Sequence, residues 1–162
     1  MKSIIKKLIG QATINPVIFY SGKICGYLSW GILLGYIFNI IQCQGFQNTF
    51  LQTFSKVIAA LGLMIVVISM INLGGSIRLG LPTEKTTLKT SGLYRLSRNP
   101  IYLGFNLMSI AAMAYCMNIV VWVLGIYSML TYHLIIMGEE KFLAERFKDE
   151  YANYKKKVRR YI

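Results

Sequence analysis

Residues 98–140 read RNPIYLGFNLMSIAAMAYCMNIVVWVLGIYSMLTYHLIIMGEE. No charge falls between Arg98 and Glu139, and the run divides at Asn118, which leaves Asn99 nineteen residues before the turn and Met137 nineteen after it. At about 1.5 Å of rise per residue, each arm matches a hydrocarbon core of about 30 Å, so the stretch predicts two antiparallel membrane helices. Such a hairpin returns Arg98-Asn99-Pro100 and Glu139-Glu140 to the same end, side by side. Pro100 suits the first helical turn and Asn99 the N-cap, which places Arg98 at a helix start whose free N–H groups favour anions. The Glu pair is expected where the second arm ends, a position at which the helix dipole disfavours carboxylates.

Working outward, two further apolar stretches precede the hairpin. The four candidate spans are Ile24 to Ile41, Val57 to Leu73, Ile101 to Met117 and Ile119 to Met137, the first with an alternative start at Pro16 that leaves Lys23 to snorkel. The whole chain is 162 residues, 55% hydrophobic and 15% charged, with 18 Lys+Arg against 6 Asp+Glu. Its mean hydropathy of +0.50 exceeds what a single soluble core of this size hides. Disorder is excluded by the same numbers, and nucleic acid is a poor partner because the cations do not line a soluble face. Every Lys and Arg except Lys56 falls in residues 1–23, 76–100 or 138–162, which share one side in a four-span chain. The positive-inside rule then puts both termini in the cytoplasm of a multi-pass membrane protein, at the cell membrane in a bacterium. The expectation is an all-α, integral membrane bundle of four transmembrane helices forming one domain over 1–162, with two spans in 1–73 and the chemistry in 74–162.

Two flanking segments read as interfacial. Ile4, Ile5, Leu8 and Ile9 alternate with Lys2, Lys6 and Lys7 as in a short amphipathic helix. Near the other end Leu143, Phe147, Tyr151 and Tyr154 recur at helical spacing, and Lys155-Lys156-Lys157-x-Arg159-Arg160 follows. That basic run is expected to meet anionic lipid headgroups, each cation contributing about 1 kcal/mol. Cys25, Cys43 and Cys116 form no CxxC pair and sit in or beside apolar runs, so neither a disulfide framework nor a metal site is expected.

The remaining signal is the loop 76–100, about 25 residues with Thr86-Thr87-Leu88-Lys89-Thr90 and Tyr94, longer than a bundle connection needs. It adds a candidate binding element to the two-ended polar clamp, suited to a zwitterionic ligand, that the helix start at Arg98 and the acid pair form. The stretches Leu88-x-Thr90-x-Gly92-Leu93-Tyr94, Ser97-Arg98-Asn99-Pro100-x-Tyr102-x-Gly104, Glu139-Glu140-x-x-Leu143 and Phe147-x-x-Glu150-Tyr151-x-x-Tyr154-x-x-x-Val158 resemble the isoprenylcysteine carboxyl methyltransferase family, which belongs with the phospholipid N-methyltransferases. The resemblance covers residues 74–162. It implies an S-adenosylmethionine-dependent enzyme acting on a lipophilic acceptor at the cytoplasmic membrane face, by carboxyl O-methylation or lipid methylation. It implies cofactor contacts at Thr87, Leu88, Lys89, Tyr94, Arg98, Asn99, Pro100, Tyr102, Glu139 and Glu140, with Arg98 on the cofactor carboxylate and Arg98 and Glu140 as the groups on which the chemistry turns. Tyr94 and Tyr102 offer aromatic surface to the adenine or sulfonium. No metal is required.

Two departures from the family pattern stand out. Asn99 occupies a position that is usually histidine, and no Lys or Arg lies between Arg98 and Lys141 to hold a substrate carboxylate. His133 is either a helix-packing residue or a substitute for the missing imidazole. Two other readings share parts of the pattern: an NADPH-dependent sterol or steroid reductase, and a lipid-binding membrane protein without chemistry.

Overall fold

The computed structural model describes residues 12–41, 48–74 and 87–162. The expectations for an amphipathic segment at 1–11, for Cys43 and for the loop before Thr87 lie outside the described residues. Within them all regular structure is helical: α1 (Pro16–Ile37), α2 (Thr49–Leu73), a 3-10 turn (Gly92–Arg95), α3 (Pro100–Cys116) and α4 (Ile119–Lys157).

Asparagine starts three of the four helices by the same physics. The side chains of Asn15, Asn48 and Asn118 accept from Val17 N at 2.9 Å, Leu51 N at 3.0 Å and Val120 N at 2.8 Å, each satisfying one orphan donor of a first turn. Asn118 is thus the start of α4, and Met117, at φ 44°, makes the left-handed turn that closes α3. The hairpin has the predicted form.

The helices alternate in direction. α3 packs against α2, α4 and α1, and α1 packs along α4. The α2–α3 crossing is set by Gly62 and Gly104: a Cβ at Gly62 would lie 2.8 Å from the Gly104 carbonyl oxygen, and one at Gly104 would lie 2.6 Å from that of Gly62. Small residues let backbones approach this closely, the usual way of holding helices together where lipid removes the hydrophobic drive between them. Along α1 and α4, Gly26 makes room for the Tyr132 hydroxyl. Buried Ser29, Ser55, Ser69 and Ser128 return their hydroxyls to carbonyls three or four residues back in their own helices, so none leaves a polar atom facing lipid.

The outward surface is apolar. Leu28 and Leu34 on α1, Val57, Leu61, Met64 and Ile71 on α2, and Trp122, Val123, Leu130, Leu134 and Met137 on α4 are exposed. Three helices are long and apolar enough to cross a membrane, and α3 is a shorter apolar helix of 17 residues held among them. The chain is a helical membrane protein.

One boundary takes the alternative start given for the first span, and another differs from expectation. α1 begins at Pro16, so Lys23 lies within the helix, with its ammonium 4.1 Å from the centroid of the Phe19 ring. More consequentially, α4 does not stop near Met137 but runs 39 residues, broken only at Lys148, where φ is 40° and ψ is −113°. Glu139 and Glu140 therefore lie inside a helix rather than at its end, and the dipole penalty expected for them does not arise, because their turn is followed by more helix. The charge-free part of α4 ends at Gly138, so the acid pair emerges at the membrane edge.

Candidate functional site at the membrane edge

At one end of the bundle the start of α3, the middle of α4 and the returning tail converge. Beyond the break at Lys148, Tyr151, Tyr154 and Val158 are buried against Leu88, Leu143 and Phe147, so much of the apolar face expected to lie on lipid is covered by the chain itself. The Tyr154 hydroxyl donates to the Tyr94 carbonyl at 2.6 Å. Past the end of α4 the chain crosses the start of α3 as a strap. Arg98 N–H donates to the Arg159 carbonyl at 3.0 Å, and the Ser97 hydroxyl to the Arg160 carbonyl at 3.2 Å. Farther along, the Tyr161 hydroxyl lies 2.7 Å from His133 Nδ1. His133 thus meets the strap, its ring stacked on that of Tyr161.

Glu140 is the centre of this arrangement. Its Oε1 accepts from Arg98 Nη2 at 2.9 Å, Arg98 Nε at 3.2 Å and Asn99 Nδ2 at 3.3 Å, while its Oε2 accepts from Arg160 Nη2 at 3.0 Å. Asn99 stands at the N-cap position of α3 but does not cap it, its amide being spent on Glu140 and on the Arg160 carbonyl. The anion expected at this helix start is the protein's own carboxylate. Burial alone would raise the Glu140 carboxyl, but the hydrogen bonds and charges of Arg160 and Arg98 outweigh it and hold it below the ordinary value. The same contact raises the Arg160 guanidinium further.

Arg98 is the most committed group. Its Nη1 donates to the Val158 carbonyl at 2.9 Å and to the Lys155 carbonyl at 3.4 Å, so it also closes the C-terminal end of α4. With Nε and Nη2 on Glu140, all three of its nitrogens are engaged.

Glu139, one residue earlier, points elsewhere. Its Oε1 accepts from the Tyr102 hydroxyl at 2.7 Å, and it faces Lys23 of α1, which brings the N-terminal half of the chain into the site. Of the other predicted residues, Tyr94 and Pro100 are buried beside these groups, Leu88 packs on the tail, Lys89 is partly buried and Thr87 is exposed. Arg160, Ser97, Lys23 and Tyr161 were not selected from sequence. Arg160 was counted with the lipid-facing cations, and the structure removes it from them, whereas Lys155, Lys156, Lys157 and Arg159 remain exposed. Among the described residues no cluster of His, Cys, Asp or Glu is placed to hold a metal.

A helical bundle with small-residue crossings, an apolar exterior and a buried charged cluster at one membrane edge defines the class: an integral membrane protein with a polar site at the lipid boundary. The chain belongs to the phospholipid methyltransferase family, whose profile matches residues 50–150, and it is by that membership a membrane methyltransferase. The match begins at α2, earlier than the resemblance read from residues 74–162, and so takes in the helix packed on α3. No curated protein and no solved structure shows a significant match to the chain.

A methyltransferase needs a methyl donor, and the site fits S-adenosylmethionine by its donor set. A carboxylate and a guanidinium lie together at Glu140 and Arg160, the partners that the ammonium and carboxylate of an amino-acid moiety require. Tyr94 and Tyr102 lie close to Glu139, supplying aromatic surface and a second acid.

Proposed function

We propose that the protein transfers a methyl group from S-adenosylmethionine to a lipid acceptor that enters from the bilayer, with the cofactor held at the cytoplasmic edge by Thr87 to Lys89, Tyr94, Asn99, Pro100 and Glu140, the last oriented by Arg98. The observation that carries this reading is the convergence of Arg98, Asn99 and Glu140 under the strap in a chain of the phospholipid methyltransferase family. When bound, the cofactor supplies an electrophilic methyl: the acceptor's lone pair forms the new bond to carbon as the carbon–sulfur bond breaks, and the sulfonium leaves as a neutral thioether. The protein's part is alignment and exclusion of water. Arg98 fixes the orientation of Glu140, the strap covers it, and Tyr94 and Tyr102 lie close to the neighbouring Glu139.

Between the two acceptor classes, an amine-bearing phospholipid is favoured over a prenylated carboxylate. Arg98, the cation at the centre of the site, is fully engaged with Glu140 and two carbonyls, while Glu139 offers an acid beside Tyr102. An amine gives up its proton around the transfer and needs an acceptor nearby, which Glu139 supplies. The experiment is transfer of radiolabelled methyl from S-adenosylmethionine by the purified protein in vesicles containing phosphatidylethanolamine or a prenylcysteine analogue. Labelled phospholipid is expected. Label on prenylcysteine alone reverses the choice of acceptor, and absence of cofactor binding by calorimetry overturns the reading.

A further inference from the structure

We infer that Arg160, carried on the C-terminal strap, is the residue that binds the carboxylate of the cofactor, and that its ion pair with Glu140 occupies the places a bound zwitterion takes. This rests on the reading of S-adenosylmethionine as the methyl donor.

The argument is one of availability. Two arginines meet Glu140, and they differ in what else they hold. Arg98 is 7% exposed in its side chain, and its three nitrogens are spent on Glu140 and on the Val158 and Lys155 carbonyls. Withdrawing it would strand a buried carboxylate and the partly buried Val158 carbonyl together, a large cost. Arg160 is 35% exposed in its side chain and, among the described residues, donates only from Nε and Nη2, both to Glu140. It can change partners without leaving any backbone group unsatisfied.

The exchange conserves charge. An amino-acid zwitterion brings one carboxylate and one ammonium. Arg160 gives up the Glu140 carboxylate for the ligand's, and Glu140 gives up the Arg160 guanidinium for the ligand's ammonium, while Arg98 and Asn99 keep Oε1 in place. Both ends of the amino-acid moiety are thus paired once the ligand is bound. The strap remains anchored meanwhile by the Arg98 N–H to Arg159 carbonyl bond, by Ser97 and by the Tyr161–His133 contact, so Arg160 stays poised over the site. Arg98 is on this account a positioning residue.

The test compares two ligands. Full-length protein in detergent is titrated calorimetrically with S-adenosylmethionine and with its decarboxylated analogue. The unaltered protein is expected to bind the full cofactor at least tenfold more tightly. Arg160→Ala is expected to lose that preference, binding both alike, with little change for the decarboxylated ligand, and Arg160→Lys to regain part of it. A purely structural strap would weaken both ligands equally in Arg160→Ala and leave the ratio intact, and that result overturns the assignment. Failure of the unaltered protein to bind either ligand overturns the methyl-donor reading itself, and this inference falls with it.

Discussion

At the scale of single residues, the site is organised by one carboxylate with two unequal arginines. Breaking a buried pair from one side typically costs about 3–5 kcal/mol because the surviving charge is left without a partner. Arg98→Ala is therefore expected to lower thermal stability in detergent far more than Arg160→Ala, whose side chain is 35% exposed. Equal losses would show that burial does not rank the two. Acid should act on the same atom. The folded Glu140 carboxyl is held below its ordinary value, so its contribution is complete above the unfolded carboxylate range and is lost as pH falls through the lowered folded value. Unfolding midpoints measured from neutral to strongly acidic pH should show this drop, and Glu140→Gln should flatten it. The sequence made Glu140 and Arg98 legible because a turn at Asn118 allows depth to be counted along both arms. It hid Arg160, because a cation within Lys155-Lys156-Lys157-x-Arg159-Arg160 looks like every other cation that sets topology.

At the scale of elements, the α2–α3 crossing and the break in α4 carry opposite lessons. Gly62 and Gly104 touch through backbone oxygens, which cannot swing aside, so Gly62→Leu or Gly104→Leu must separate the helices. Overpacking of this kind costs about 1–3 kcal/mol or more. Gly31, where an added Cβ meets nothing within 4 Å, provides the control, and Gly31→Leu should be nearly neutral. Resistance to detergent denaturation, compared across the three variants, checks the contrast. The break at Lys148 is invisible in the sequence, since Leu143, Phe147, Tyr151 and Tyr154 keep helical spacing straight through it. A lysine at φ 40° pays a backbone cost of about 1–3 kcal/mol that glycine avoids. Lys148→Gly should thus raise the unfolding midpoint, whereas in a continuous helix the same change would lower it, because glycine weakens helix interiors.

For the whole molecule, the distribution of charge along the sequence leads us to propose one orientation, which a labelling experiment tests. With the turn at Asn118 on the side away from the cytoplasm and the tail within it, cysteines at Ile119→Cys and Lys157→Cys in an otherwise cysteine-free chain should react with an impermeant thiol reagent from opposite faces of sealed vesicles. Reaction of both from one face would refute the topology. The apolar helices were legible because lipid imposes a length rule on whole segments, although α3, expected as a full span, is a shorter apolar helix. The continuation of α4 past Gly138 was not, since charge reappears there and hydropathy cannot distinguish a helix leaving the membrane from one that ends.

The order of Arg98, Glu140 and Arg160 along the chain also bears on biosynthesis. Glu140 follows Arg98 by 42 residues and precedes Arg160 by 20. A chain made from its N-terminus therefore never presents the acid before a cation able to receive it. As the hairpin forms during insertion, Glu140 arrives at a lipid boundary where Arg98 already waits. Arg160, the more exposed partner, is synthesised last, so the nascent chain meets the buried pair before the partly exposed one.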